Sequence, residues 1–75
     1  MPTIKRFSNV TLYIFGNDHV PPHFHLRGPN TQCQVHIETL QVIRGRYDRR
    51  DYAEAVAWAA DNQALLCSVW SDLNE

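Results

Sequence analysis

Pro21 and Pro22, followed at once by the alternating run HFHLR, constrain this chain more than any other stretch. Each proline fixes its own φ, and a residue before a proline is pushed out of the helical region, so the chain leaves the pair extended. A strand is therefore predicted to begin at His23. Side chains alternate between the faces of a strand, which puts Phe24 and Leu26 toward a core and His23, His25 and Arg27 outward toward solvent.

Residues 32–38, QCQVHIE, alternate in the same way, with Cys33, Val35 and Ile37 opposite Gln34, His36 and Glu38. The intervening Gly28, Pro29, Asn30 and Thr31 are turn formers, so the two runs read as a hairpin whose apolar faces must match, which sets its register to one parity. His36 then shares the outer face with His23 and His25. Cross-strand neighbours have Cβ atoms about 4.5–5.5 Å apart, so three imidazoles can converge there with the Glu38 carboxylate nearby.

Two further strands are predicted upstream, over residues 3–7 and 10–15, and one downstream over residues 39–46, which Gly45 should weaken near its end. Residues 16–22 form a loop longer than a tight hairpin needs, and His19 lies in it. From Arg49 the apolar period becomes helical, with Asp48 as the N-cap and Tyr52, Ala53, Val56, Ala57 and Ala60 as the inward stripe. A second stripe runs through Leu65, Leu66, Val69, Trp70 and Leu73. Asp61, Asn62 and Gln63 interrupt the pattern, so either one kinked helix or two helices follow, with two favoured. Trp58 and Trp70, with the alanines between them, are expected to cover Phe24, Leu26, Val35 and Ile37. The fold class is α+β: a small antiparallel sheet of four to five strands over residues 1–47, then the helical region, residues 48–74, packed on one face. All 75 residues read as a single domain.

A chain this short buries only about 60% of its unfolded surface, so an oligomer, a metal or a partner chain is expected to add to its stability. The net charge of −1 argues against a general binder of nucleic acid or anionic membrane. Its distribution is uneven. Residues 1–50 hold all seven basic residues and three acidic ones, a net of +4, whereas residues 51–75 hold five acidic residues and no base. Arg44, Arg46, Arg49 and Arg50 form a local basic patch, to be read either as a docking surface or as a solvated surface paired with Asp48 and Asp51. Cys33 and Cys67 are expected to be buried free thiols rather than a disulfide. No apolar run is long enough for a membrane span or a signal core, and the protein is expected to be cytoplasmic.

Three readings of the histidines remain open. In the first, His23, His25 and His36, with His19 or Asp18 from the loop, bind a divalent metal such as zinc, whose distance from an imidazole nitrogen is about 2.0–2.1 Å. A water on that metal would become a nucleophile, with Glu38 as its general base. In the second, the histidines hold the loop and hairpin together or face a partner. In the third, His23, His25 and His36 carry metal-free acid–base chemistry such as RNA cleavage, with Arg27 holding the phosphate. Nucleic acid has one further candidate surface, the arginines 44–50 with Tyr47 for stacking. No nucleophile–histidine pairing, Gly-rich phosphate loop or dinucleotide fingerprint is present.

The opening PTIxRF, the NDHxPPHFH element over residues 17–25, the IET of residues 37–39, the Arg49-Arg50 pair and the spacing of Trp58, Ala59, Leu66 and Trp70 carry a resemblance. Over nearly its whole length the chain resembles the bacterial family called domain of unknown function 4160. The resemblance implies a small prokaryotic protein encoded beside a second small protein, in an arrangement like a toxin–antitoxin pair, and hence a protein partner or a homo-oligomer. Three positions depart from the family pattern: His36 stands for an Asp, Leu40 for a turn Gly, and Asp48 for a Pro before the arginine pair. The function expected from all this is an interaction module with Asp18, Arg27, Arg44, Arg46, Arg49 and Arg50 as binding residues. The alternative is a small metal-dependent or histidine-based hydrolase or nuclease.

Overall fold

The computed structural model describes residues 3–16 and 18–74. Asn17, which belongs to the expected loop and to the NDHxPPHFH element, and the terminal Met1, Pro2 and Glu75 lie outside the described residues. Five strands, β1 (Thr3–Arg6), β2 (Thr11–Tyr13), β3 (His23–Gly28), β4 (Thr31–His36) and β5 (Val42–Arg46), pair in sequence order as an antiparallel meander. Helices α1 (Arg49–Ala60) and α2 (Gln63–Asn74) follow. The α+β class and the second helix are as expected.

The hairpin register is the one that the alternation requires. Phe24 stands opposite Val35 and Leu26 opposite Cys33, while His23, His25 and Arg27 stand opposite His36, Gln34 and Gln32. Leu12, Ile14, Phe24, Leu26, Val35 and Ile37 are fully buried against Ala55, Ala59, Leu66 and Trp70 of the helices. Full burial of each large side chain contributes about 1.5–3 kcal/mol.

Asp48 caps α1, its carboxylate accepting the amides of Arg50 at 2.9 Å and Asp51 at 3.2 Å. Asp51, in the first turn, is itself buried and accepts the Thr31 hydroxyl at 2.8 Å, while Thr31 Oγ1 accepts the Asp48 amide at 2.9 Å. The helix start is thus bolted to the β3–β4 turn. Farther along, Glu54 accepts both the amide and the hydroxyl of Ser8, which ties α1 to the β1–β2 turn. The break between helices comes where the Asn62 side chain donates to the Trp58 carbonyl at 2.8 Å.

Several expectations change. The inward stripe of α1 is Asp51, Ala55 and Ala59, with Tyr52, Val56 and Trp58 half-buried; Ala53, Ala57 and Ala60 are exposed. Alanines at 53, 55, 57, 59 and 60 make several rotations of this helix read as equally apolar, so the Asp51–Thr31 bond and the close approach that Ala55 and Ala59 allow decide the rotation. Trp58 packs half-buried against the core, as expected, and stands edge-on to Phe7 with ring centroids 6.0 Å apart. On α2, Leu65 is exposed, whereas Leu66 and Trp70 are buried. The final strand starts at Val42 because residues 37–39 form a turn and Leu40 adopts φ 63°. That is glycine's conformation, and the Tyr52 hydroxyl, donating to the Leu40 carbonyl, helps hold it.

Both cysteines are free, but only Cys33 is buried; Cys67 lies on the exposed side of α2. Burial pushes the Cys33 thiol up to about 11. An aromatic disulfide reagent at pH 8 should therefore titrate Cys67 promptly in native protein and reach Cys33 only after denaturant is added. Replacing Thr31 with Val keeps the shape but leaves the buried Asp51 carboxylate without its hydroxyl. Thr31→Val should lower the unfolding free energy by about 2 kcal/mol in urea titrations.

Candidate functional site

The outer end of β3 is roofed. The Asp18 amide donates to the Asn74 side-chain oxygen at 2.8 Å, and the Asn74 amide group donates to the Phe15 carbonyl at 3.1 Å. The last turn of α2 thereby holds down the loop before β3. Trp70 comes within 5.1 Å of the His23 ring, centroid to centroid. His23 is consequently 3% exposed, not solvent-facing as its strand position alone suggests.

Beneath that roof three side chains converge. Asp18 Oδ2 lies 3.0 Å from Nε2 of His23 and 3.0 Å from Nε2 of His25. His23 Nδ1 donates to the Pro21 carbonyl at 2.8 Å, which fixes the ring and aims Nε2 at Asp18. That nitrogen is buried and, despite its closeness to Asp18, makes no hydrogen bond. His25 Nε2 does bond to Asp18, and its ring stands edge-on to Phe15 at 4.5 Å.

Electrostatics keep both half-buried groups in their ligand forms near neutrality. Burial, with the neighbouring His23 and Arg27 charges, pushes His25 below its ordinary value despite the Asp18 bond. For Asp18, burial acts upward, but the His25 bond, the His19 amide and the histidine charges outweigh it and hold the carboxyl below its usual range.

Asp18, His23 and His25 are the one set among the described residues that brings three potential ligand atoms within 4.8 Å of one another. The other sequence candidates stand apart from it. His19 is exposed, and its amide donates to Asp18 Oδ1 at 2.9 Å. His36 pairs with His23 in register, yet its Nδ1 accepts the amides of Glu38 and Thr39 and so organises the β4–β5 turn. Glu38 is exposed in that turn, and its carbonyl, with that of Ile37, accepts the Gln63 side chain.

Beside the cluster lies the uncovered face of the sheet. One register row crosses it as Arg6, Thr11, Arg27, Gln32 and Arg46; the next runs Tyr13, His25, Gln34 and Arg44. Successive arginines in the first row are two strands apart, about 10 Å. A shallow depression of about 250 Å³ opens between His25, Arg27, Gln32, Gln34 and Arg44. Tyr13 stacks on Phe15 at 5.9 Å, and the Arg27 guanidinium lies 5.3 Å from the Phe15 ring centre. Among the described residues no Lys or Arg is ion-paired; both charge contacts are the histidine–Asp18 pairs. Arg49 and Arg50 are also exposed, but they open α1, on the layer that covers the other face. Sequence reasoning missed Arg6 on this face; alternation over residues 10–15 sets Tyr13 and Phe15 opposite Val10, Leu12 and Ile14 but did not by itself assign them to it. It missed Asn74 and Trp70 as the roof, for which no local pattern exists.

Asn74→Ala removes the bonds to Asp18 and Phe15 from a partly buried position. It should cost about 1–2 kcal/mol of stability and sharply speed hydrogen exchange at the Asp18 amide, read by NMR, while the β3–β4 amides stay protected.

No helix among the described residues is long and apolar enough to cross a membrane. No curated protein and no solved structure gives a significant match to the chain. A family model does match, over residues 9–71, and with that coverage the chain belongs to the family described as domain of unknown function (DUF4160).

Proposed function

We propose that this protein is a small cytoplasmic interaction module, one component of a two-protein arrangement of the toxin–antitoxin kind, which receives an acidic segment of its partner on the outer face of its sheet. The observation that carries this reading is the pair of register rows holding Arg6, Arg27, Arg44 and Arg46 with no carboxylate paired to them among the described residues. The lining between them, Gln32, Gln34 and His25, adds hydrogen-bonding groups that suit a carboxylate. An acidic peptide segment fits better than a long polyanion, because the helical layer is itself acidic and the net charge is −1.

The stacked Tyr13 and Phe15 beside Arg27 favour a second reading, a short single-stranded nucleic acid, since bases stack on such rings while guanidiniums meet phosphates. A histidine-based hydrolase has less support, because neither His36 nor Glu38 joins the convergent groups.

Fluorescence anisotropy with a labelled Asp/Glu-rich peptide and a labelled single-stranded RNA of equal charge tests the proposal. The peptide should bind, more weakly as salt rises, and Arg27→Glu/Arg44→Glu should lose about tenfold or more in affinity. Preference for the RNA would move the function to the second reading. Failure of both probes, or binding indifferent to the double variant, would overturn the assignment of this face.

A further inference from the structure

The strongest unexplained feature is the buried His23 nitrogen. Its ring is held by a backbone carbonyl on one side, and on the other it presents a lone pair to a point shared with His25 and Asp18. A metal-ligating histidine is usually fixed in this way, with the second nitrogen donating to a carbonyl so that the first is aimed and made more basic. The carboxylate has an outer partner too, the His19 amide on Oδ1, which leaves Oδ2 facing the two imidazoles.

From this geometry we propose that Asp18, His23 and His25 form a binding site for a divalent transition-metal ion of the zinc type, with at least one coordination position left for solvent or a partner's side chain. Ligand atoms bound at about 2.0–2.1 Å to one tetrahedral ion stand about 3.3–3.5 Å apart. The two nitrogen–oxygen distances here are 3.0 Å and all three ligand atoms lie within 4.8 Å of one another, so opening the nitrogen–oxygen edges by a few tenths of an ångström, with adjustment of the two rings, admits the ion. Binding would move the proton of the neutral His25 ring from Nε2 to Nδ1 by exchange with solvent, freeing the Nε2 lone pair, and would replace the bond to Asp18 with two metal bonds. Two imidazoles and one carboxylate suit Zn²⁺, Fe²⁺ or Co²⁺ better than Mg²⁺ or Ca²⁺, which prefer all-oxygen shells. His36 and Glu38 have no part in the site.

The test uses full-length, tag-free protein stripped with chelator and dialysed. Zinc titration by calorimetry and Co²⁺ absorption report affinity and stoichiometry. Long-range ¹⁵N NMR of the histidine rings reports which nitrogens are metallated. One ion per chain is expected, seen at Nε2 of His23 and His25 while His23 Nδ1 keeps its proton, and with a raised melting temperature. His25→Ala and Asp18→Asn, both at partly buried positions, should each weaken zinc by at least about tenfold, a loss no smaller than that seen for outer-shell changes. His19→Ala should bind as wild type. Circular dichroism confirms that each variant is folded, and should one fail, the other decides. Absence of saturable zinc binding, binding unchanged in both ligand variants, or binding lost in His19→Ala would overturn the proposal.

Discussion

Everything on this molecule's two faces follows from the register in which β3 pairs with β4. With Phe24 opposite Val35 and Leu26 opposite Cys33, one face becomes wholly apolar and must be covered, and the other receives Arg27, Gln32, Gln34 and the imidazoles. A slip of one residue would exchange the two sets. A glycine at the end of β3 and another on β5 guard against it. A Cβ on Gly28 would collide with the Asn9 carbonyl, and one on Gly45, at φ 98°, with the Gln32 carbonyl. Any shift that carried a side chain into either place would be rejected sterically, so the hairpin's neighbours, β2 and β5, help specify it.

The same alternation explains why opposite charges in one small chain fail to neutralise each other. The helical layer supplies acids and the sheet supplies arginines, but the sheet directs Arg27, Arg44 and Arg46 away from the helices. Several of the acids are meanwhile engaged in holding the fold: Asp48 caps α1, Asp51 takes Thr31, Glu54 takes Ser8 and Asp18 faces the histidines. Carboxylates used as caps and anchors leave a basic face whose field extends into solvent. Within a Debye length of about 8 Å that field favours an anionic partner, and farther out salt screens it.

The features legible from sequence were those fixed by neighbours in the chain. The prolines at 21 and 22, the alternation through residues 23–27 and 32–37, and Asp48 before a helical period each act over a few residues, and each reappears in three dimensions. The inward face of α1 was not legible, because its alanines make several rotations equally apolar and the choice falls to a hydrogen bond with Thr31, 20 residues away. Leu40 hid a turn, since its side chain signals strand or helix while its backbone occupies a glycine conformation. For the site, strand alternation correctly joined His23 to His25 but wrongly exposed His23. Its burial depends on Trp70 and on an Asp18–Asn74 bond spanning 56 residues, a closure that no local period encodes.

That closure sharpens the question of why an imidazole occupies position 23 at all. As a filler beneath Trp70, an apolar side chain would bury as much surface without bringing in a nitrogen that lacks a hydrogen bond. An unsatisfied buried polar atom costs about 1–3 kcal/mol, a large share of the stability available to so small a chain. The bond between His25 and Asp18 already organises the loop, so loop-holding explains those two residues and leaves His23 over. Its Nδ1 bond to Pro21 aligns the ring but could equally be made by other donors. A cation shared by Nε2 of both rings and by Asp18 Oδ2 satisfies all three groups together, and it accounts for a roof that keeps the His23 lone pair from water.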